Sequence, residues 1–433
     1  MGFERENERA VADYLATGAH GSDVGRLGLE VEHHVLFGNG TQVAYEEHQN
    51  RVGVKDVLEY LATWYPQREY NAEGDLIGLA GPDGTVTLEP AAQLEFSVAP
   101  YGRVAHIERA YMHFRERVAT CLAPFGASLV CAGYNPKLRA QELELIPKRR
   151  YGYMNDYFAH IGSYGDRMMR GSASTQVSVD FADEADAVRK MRISAALAPI
   201  LAAIADDCPV FEGQPNHVPI RRLQLWREVD SVRCGTPPRL FEDGFGFSTY
   251  VDWLFSTSPI FVTRRAAGDV DGPTMRAAYQ KAAREVYADA PMDPADVEHL
   301  LSMFWPDVRL KRFVEVRPAD CMPSGAVLGY VALIKGLFYS EESLSAIERE
   351  LGVSPAVAQT RGAWPMSSSD VEHAIGAVQA KGFAVQLYGG RTLCEWESLL
   401  FTLARASLDA EERTYLPPLE DFAQDKPWWV VGG

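Results

Sequence analysis

The segment TLEPAAQLEFSVAP, from Thr87 to Pro100, alternates apolar and polar side chains like a strand with one buried face. The apolar set is Leu88, Leu94, Phe96 and Val98, and the polar set is Thr87, Glu89, Gln93, Glu95 and Ser97. Glu89 and Glu95 are therefore expected to point the same way, although Pro90 to Ala92 predict a bend or bulge between them. The polar face is either the wet side of an antiparallel sheet or a functional site, and the rest of the chain must decide.

Three other segments repeat this pattern of one apolar face and one face of carboxylates, amides or cations. They run from Arg26 to Phe37, from Ala173 to Phe181 and from Asp307 to Asp320. Their polar faces carry Glu30, Glu32 and His34 in the first, Ser174, Gln176, Ser178 and Asp180 in the second, and Lys311, Glu315 and Arg317 in the third. If the four strands are neighbours, five glutamates converge on one concave surface: Glu30, Glu32, Glu89, Glu95 and Glu315.

Helical segments lie between these strands without following each strand regularly. Helices are predicted at Arg5 to Thr17, Asp56 to Trp64, Arg103 to Leu122 and Asp183 to Asp206, and most of the chain beyond residue 327 is also helical. This order favours an α+β fold built on an antiparallel sheet over a doubly wound parallel one. Length alone allows up to about three domains. The lack of repeats and linkers favours a single domain over residues 1–433.

Bulk properties exclude several classes of protein. A net charge of −17 argues against nucleic-acid and anionic-membrane partners, although a metal ion can still screen a bound nucleotide. The longest apolar run, Ile193 to Ala205, is too short to span a bilayer, and Met1 to Ala19 lacks an apolar signal core. The six scattered cysteines show no CxxC spacing. A soluble, cytoplasmic protein is expected.

Five carboxylates on one surface would repel each other unless cations lie among them. Oxygen ligands without a Cys/His pattern suit hard divalent ions, Mg²⁺ or Mn²⁺, rather than zinc. The alternative is a set of solvated surface glutamates, which is the common state of any single member.

Arginines supply the opposite charge near the same strands. Arg170 precedes the Gln176 strand, and Arg221 and Arg222 follow a turn rich in Asn and Pro. Guanidinium groups bind carboxylates and phosphates, so a metal face flanked by arginines suits phosphoryl transfer from a nucleotide; surface ion pairs are the alternative. The sequence has no GxxxxGK[ST] loop, so a nucleotide is expected to bind on the sheet through metals.

These segments resemble the glutamate–cysteine ligase family of the plant and proteobacterial type. The resemblance covers roughly residues 25 to 340 and rests on motifs that occur in the family's order: GLEVE, TLEPAAQLEFSVAP, MMRGSASTQVSVDF, RKMRISAALAPILAAIADDCPVFEGQPN, FEDGFGFSTYVDW and FWPDVRLKRFVEVRPAD. It implies a fold related to glutamine synthetase, with the antiparallel sheet forming a funnel. It also implies that ATP phosphorylates the side-chain carboxylate of glutamate and that the amine of cysteine attacks the γ-glutamyl phosphate.

The resemblance also assigns roles to residues. The five glutamates match the family's metal-binding positions: Glu30, Glu32, Glu89, Glu95 and Glu315. Arg170 and Arg222 match arginines that bind substrate carboxylates, and Lys311 and Arg317 lie where phosphate contacts are expected. Gln93 and Gln176 are expected to orient ligands or substrate.

Two departures from the family pattern leave alternatives open. The stretch CMPSGAVLGY after Asp320 replaces the family's usual Trp/Arg-containing segment, and Ala91 and Ala92 replace glycines. We therefore keep three hypotheses: a glutamate–cysteine ligase serving glutathione or another thiol, a related ligase with a different amine or acid, and a non-catalytic metal-binding homologue. The expected partners are ATP, Mg²⁺ or Mn²⁺ and small substrates, and the expected state is a monomer or a homodimer.

Overall fold

The computed structural model describes residues 2–46, 48, 51–264, 274–358 and 360–429. The strands in this part of the chain are β1 (Leu27–Phe37), β2 (Gln67–Tyr70), β3 (Leu76–Gly81), β4 (Gly84–Leu88), β5 (Leu94–Tyr101), β6 (Ala127–Val130), β7 (Ser174–Val179), β8 (Val210–Phe211), β9 (Gln214–Pro215), β10 (Cys234–Gly235), β11 (Phe261–Arg264), β12 (Thr274–Ala277), β13 (Trp305–Pro306), β14 (Val308–Leu310) and β15 (Val314–Asp320).

The α-helices fill the stretches before, between and after these strands. They are α1 (Glu4–Ala16), α2 (Val54–Leu61), α3 (Val104–Leu122), α4 (Arg149–Phe158), α5 (Gly165–Gly171), α6 (Glu184–Ile204), α7 (Arg221–Arg227), α8 (Phe247–Ser256), α9 (Ala283–Val286), α10 (Pro294–Leu301), α11 (Ser324–Phe338), α12 (Glu341–Glu350), α13 (Pro355–Ala358), α14 (Ser368–Lys381), α15 (Leu393–Ser407) and α16 (Leu416–Gln424). The predicted α+β class is confirmed. The single-domain organisation stays a prediction.

One nine-stranded sheet organises the fold. Its order is β14-β15-β7-β1-β5-β4-β3-β2, and β6 pairs with the end of β1. All of its pairings are antiparallel, as the sequence predicts. The four strands with mixed faces are direct neighbours in the order β15, β7, β1 and β5. The register sets Glu32 opposite Glu95 and Glu30 opposite Gln176, so their side chains share one face.

The Thr87 to Pro100 segment is a hairpin rather than one bent strand. Thr87 on β4 pairs with Glu95 on β5, and the Glu89 amide donates to the Gln93 carbonyl at 3.0 Å to close the turn. Ala92 adopts φ of 59°, a conformation that favours glycine. The chain reverses its direction at Pro90 to Ala92, whereas the sequence predicts only a bend or bulge within one strand. Glu89 and Glu95 still meet because the hairpin folds one strand back onto the other.

The opposite face of the sheet holds the apolar core. Leu29, Val31, Phe96 and Val177 are fully buried there. Helix α3 packs on β5, α6 on β15, and α11 on both β1 and β7. Helix α6 is buried over nearly its whole surface, as expected of a helix that is apolar all round. In the described ranges, every helix is too short or too polar to cross a membrane.

Candidate active site

A cavity of about 290 Å³ opens on the polar face of the sheet and is here called the central cavity. Charged and amide side chains from several elements line it, including Glu30, Glu32, Glu89, Glu95, Lys148, Arg150, Arg309, Lys311, Arg317, Gln93 and Gln176. The predicted convergence of distant carboxylates therefore holds for four of the five glutamates. It follows from strand parity and from the hairpin that joins β4 to β5.

The four cavity glutamates lie deep in the protein and keep only part of their area open to the cavity. Burial, then Glu315, raises the pKa of Glu30 to about 7. Burial, then Glu95, raises the pKa of Glu89 to about 8. Burial also raises the pKa values of Glu32 and Glu95. A group of acids that resists ionisation in this way is stabilised when a cation enters among them.

The donor chemistry of these glutamates fits a hard divalent ion, because each offers carboxylate oxygens. However, the carboxylate oxygens of the four glutamates do not converge on a single point. Within the described ranges, the only group of three ligand atoms within 4.8 Å of one another is His33, Cys131 and Cys321. Like charges with no cation between them are expected to spread apart in this way.

Glu315 lies beside the central cavity and is fully buried. It accepts from Arg309 Nε at 2.6 Å and Nη2 at 3.0 Å, from Lys311 Nζ at 3.1 Å and from Arg317 Nη1 at 2.8 Å. Burial alone would raise the pKa of Glu315, but these three cations hold it well below its usual range. Both of its oxygens are thus engaged by cations, and its role as a metal ligand stays a prediction.

Two glutamines extend this network. Gln176 accepts from Arg317 and donates to Glu32 Oε1 at 3.2 Å, so it joins the cation group to the carboxylates. Gln93 instead forms its hydrogen bonds with the backbone. Its Oε1 accepts from the Ala91 amide at 2.8 Å, and its Nε2 donates to two carbonyls of the α5–β7 segment at 3.1 Å. Its expected role with ligands stays a prediction, while its contacts fix the hairpin.

Arg170 and Arg222 lie near the central cavity but do not line it. Arg170 donates to the Leu143 carbonyl at 3.1 Å and to Asn155 Oδ1 at 2.9 Å. Arg222 donates to the Arg317 carbonyl at 2.9 Å and is electrostatically coupled to Glu32. In both arginines, the buried Nε has no hydrogen-bond partner among the described residues.

Several cavity residues are missing from the sequence-based set. Arg309 faces Glu315 across the β14–β15 pair and shares the parity of Lys311, so alternation along the strand could have found it. Lys148 and Arg150 belong to the basic run Lys148 to Arg150 at the start of α4. Three consecutive cations in a chain of net charge −17 are a usable signal. His34 has the parity of Glu30, yet it lies beyond the cavity where β1 pairs with β6.

Two further cavities of comparable size adjoin the central one. The second cavity, of about 310 Å³, shares Glu30 with it and is also lined by Arg26, Gly28, Ser178 and Phe313. The third cavity, of about 360 Å³, shares Lys148 and Arg150 with it. The central cavity therefore has one neighbour at the Glu30 side and another at the Lys148 side.

Comparison with known proteins gives the family. Residues 26–423 match the glutamate-cysteine ligase family 2 (GCS2) model. The chain belongs to this family. It is 31% identical over 336 residues to a chloroplastic glutamate–cysteine ligase of Nicotiana tabacum and 32% identical over 339 residues to that of Arabidopsis thaliana. Both alignments cover 77% of this chain and 63% of the relative, so the chain spans under two thirds of their length.

A solved structure is similar in fold. The Francisella tularensis glutamate–cysteine ligase in complex with AMP superimposes with a TM-score of 0.55 at 10% identity, covering 94% of this chain and 83% of the other. The predicted ligase fold of the glutamine synthetase type is confirmed. The plant comparison also corrects one prediction. The relatives are named as chloroplastic proteins, which contradicts the expected cytoplasmic location.

Proposed function

We propose that the chain couples the side-chain carboxylate of glutamate to the amine of cysteine at the expense of ATP, giving γ-glutamylcysteine, ADP and phosphate. Membership of the glutamate–cysteine ligase family supports this activity. The observation that carries it is the charge pattern of the central cavity, where four half-buried glutamates face cations organised by Glu315. Such a pattern suits phosphoryl transfer, which depends on positioning and charge stabilisation.

Glu30, Glu32, Glu89 and Glu95 are the residues that would hold Mg²⁺ or Mn²⁺. When bound, the ions neutralise the phosphates of ATP and the glutamate carboxylate so that the two anions can approach. The oxygen-only donor set supports a hard ion. The raised pKa values of Glu30 and Glu89 support a site that is completed by positive charge.

Arg309, Lys311 and Arg317 supply the protein's own positive charge to the transferred phosphoryl group. Their shared partner Glu315 fixes all three, because each lies within 3.1 Å of one of its oxygens. Preorganised donors of this kind stabilise charge in the transition state without reorienting during the reaction. Glu315 is therefore proposed to act on the reaction by positioning these cations.

The second cavity is proposed to hold the nucleoside. It adjoins Glu30, whose pKa is lowered by the charges of Lys311 and Arg309, and its lining includes Phe313 and Arg26. Aromatic rings and guanidinium groups stack well on nucleobases. Phosphates of a nucleotide placed there reach the central cavity through the Glu30 side.

The chemistry proceeds in two steps. A glutamate γ-carboxylate oxygen attacks the terminal phosphorus of ATP, ADP leaves, and the resulting acyl phosphate is a good electrophile. The acceptor amine then attacks the carbonyl carbon, the C–O bond to phosphate breaks, and the amine releases its proton. Arg170 and Arg222 keep their predicted role with substrate carboxylates, supported by the unpartnered buried Nε of each.

The altered stretch after Asp320 does not favour a different acceptor. Cys321 and Met322 are fully buried, and the following residues form the core helix α11. None of the three cavities is lined by this stretch. Its departure from the family pattern is thus a change in core packing rather than in a substrate pocket.

A coupled ADP-release assay with Mg²⁺, glutamate and a panel of amines tests the proposal, with the product identified by mass spectrometry. We expect turnover with cysteine and γ-glutamylcysteine as the product. Turnover with another amine alone would replace the acceptor, and no ADP release with any amine would overturn the proposal.

A further inference from the structure

Two cations at the wall between the central and third cavities lack an anionic partner among the described residues. Their charged groups lie 5.3 Å and 5.9 Å from the centre of the Tyr151 ring. Lys148 is the residue before α4 and Arg150 lies in its first turn, so both line the two cavities. Arg149 between them lines only the third cavity, and its Nε lies 3.9 Å from Glu73. The wall between the cavities therefore carries two positive side chains rather than three.

Among the described residues, neither Lys148 nor Arg150 has a side-chain hydrogen bond, and neither lies within 4.0 Å of an acidic oxygen. The Nε of Arg150 is buried without a partner. The other cavity cations differ, because Arg309, Lys311 and Arg317 all bind Glu315. Buried polar groups in folded proteins are normally paired, so an unpaired guanidinium beside an ammonium indicates an absent anion.

Electrostatics support an anion at this position. Burial, and then the neighbouring Arg150, lowers the pKa of Lys148, while Glu89, Glu69 and Glu95 act in the opposite direction. The acids are close enough to influence Lys148 but not to bind it. A ligand carboxylate between the two cations would relieve their mutual repulsion and would form charge-assisted hydrogen bonds with both.

The position of Lys148 and Arg150 indicates which anion they bind. The cations proposed for the phosphates surround Glu315 and lie towards Glu30 and the second cavity. Lys148 and Arg150 instead lie towards Glu89 and open into the third cavity. An anion held there is separated from the nucleotide by the reacting carboxylate. Arg170 and Arg222 are left for the α-carboxylate of glutamate, each with a buried Nε that lacks a described partner. The remaining anionic group is then the carboxylate of the amine acceptor.

We propose that Lys148 and Arg150 bind the α-carboxylate of an amino-acid acceptor, with its side chain in the third cavity. This inference rests on the proposed function. In an α-amino acid, the amine and the carboxylate are attached to one carbon, so a carboxylate at this wall directs the amine into the central cavity. The third cavity offers Ile77, Phe261 and Met275 to a small, weakly polar side chain. The two cations thus select acceptors that carry a carboxylate.

The test compares cysteine with cysteamine, the same amine and thiol without the carboxylate. The variants are Lys148→Met and Arg150→Met. Arg139→Met is the control because Arg139 is exposed and, among the described residues, its side chain pairs with Glu142 alone. We expect the wild type to prefer cysteine in kcat/KM. Each cavity variant should lower that preference roughly 10- to 100-fold, mainly through the KM for cysteine, while the control keeps it.

Hydroxylamine separates this inference from the proposed function. It traps γ-glutamyl phosphate as the hydroxamate and carries no carboxylate, so its product reports the first step. We expect cysteine turnover to fall at least roughly 10-fold more than hydroxamate formation in both cavity variants. Hydroxamate formation with an unchanged preference for cysteine in the variants would overturn the inference and leave the proposed function standing.

Two other outcomes also decide the matter. A wild type that forms neither hydroxamate nor dipeptide would overturn the proposed function, and the inference with it. A wild type that uses cysteamine as well as cysteine would overturn the inference without any variant, which covers the case of variants that fail to fold. A rise in the KM for ATP rather than for cysteine would assign the two cations to a phosphate instead.

Discussion

Glu95 illustrates what a single cavity residue contributes. Its Oε1 accepts from Thr87 Oγ1 at 2.6 Å, and burial followed by the charge of Glu32 raises its pKa. A glutamine at this position keeps an oxygen for the threonine and removes one charge from a repulsive group. The fold should therefore lose little, whereas a site that depends on anionic oxygens should lose much.

Glu95→Gln is accordingly expected to lower the ADP-release rate by roughly 100-fold or more while shifting the melting temperature by only a few degrees. The coupled assay and thermal unfolding measure the two quantities. Glu59→Gln is the control, because Glu59 pairs with Arg68 on the exposed edge of the protein and lies outside the cavities. Retention of most of the rate in Glu95→Gln would remove this residue from the proposed metal site.

Residue chemistry was predictable where parity alone decides it. Glu30 and Glu32 sit two apart on one strand, so alternation places both on the polar face. Contacts that need the tertiary structure were not predictable in this way. No local sequence pattern shows that Arg222 donates to the Arg317 carbonyl. Nor does one show that the Arg170 guanidinium donates to Leu143 and Asn155.

At the scale of elements, α3 contacts β1 and the segment after β6 through residues one turn apart. Tyr111 contacts His33 Nε2 on β1 at 2.9 Å, and Arg115 donates to Cys131 Sγ, just after β6, at 3.3 Å. Cys321, which follows β15, lies in the same group. Helical spacing of four residues makes this arrangement possible.

This group predicts an unusually reactive thiol. A hydrogen bond from Cys321 and the neighbouring Arg115 together lower the pKa of Cys131 to about 6, against the effect of burial. Cys394 is more exposed, but burial of its thiol and nearby acids raise its pKa. At about pH 7, iodoacetamide should therefore modify Cys131 before Cys394, despite the greater exposure of Cys394.

Peptide mapping by mass spectrometry measures the two rates. Arg115→Met should raise the pKa of Cys131 and shift its alkylation to higher pH, since the thiolate loses its cation. Equal pH profiles for Cys131 and Cys394 in the wild type would show that the arrangement of Arg115 and Cys321 does not stabilise the thiolate.

The elements themselves were largely predictable, and one exception is informative. Strands β1, β7 and β15 lie where alternation places them, and neighbouring strands share a face as expected. The Thr87 to Pro100 segment differs from its prediction. Alternation of apolar and polar residues looks the same in a hairpin and in a bulged strand, so it does not distinguish them. The turn is not recognisable from the sequence, because Ala92 occupies a left-handed position that usually carries Gly or Asn.

The whole molecule places the central cavity between two others of comparable size. The second and third cavities meet the central one through different residues, Glu30 on one side and Lys148 with Arg150 on the other. A three-substrate reaction needs such separation, because nucleotide, acid and amine must meet at one point without competing for one site. No local pattern predicts cavity placement, which depends on how helices such as α4 dock against the sheet.

The stability of the whole molecule should respond to divalent ions and to pH together. Without ions, Glu30 and Glu89 have folded pKa values of about 7 and about 8, above the ordinary value of 4.5. The folded state then keeps protons that the unfolded state has released, so stability falls as pH rises from about 4.5 to about 8. Metal ions compete with these protons, so they bind more strongly at the upper end of this range.

Mg²⁺ or Mn²⁺ is therefore expected to raise the melting temperature by several degrees at about pH 8 and by less at about pH 6, relative to chelator. Glu89→Gln should weaken the ion effect and flatten the decline with pH measured in chelator. The comparison with this variant is needed because other buried acids also make stability fall with pH but do not bind the ion. Glu397 is one of them, since burial raises its pKa to about 8. An ion effect that is equal at both pH values, or unaltered in Glu89→Gln, would mean that the ions bind elsewhere, because ions held by the cavity glutamates must displace their protons.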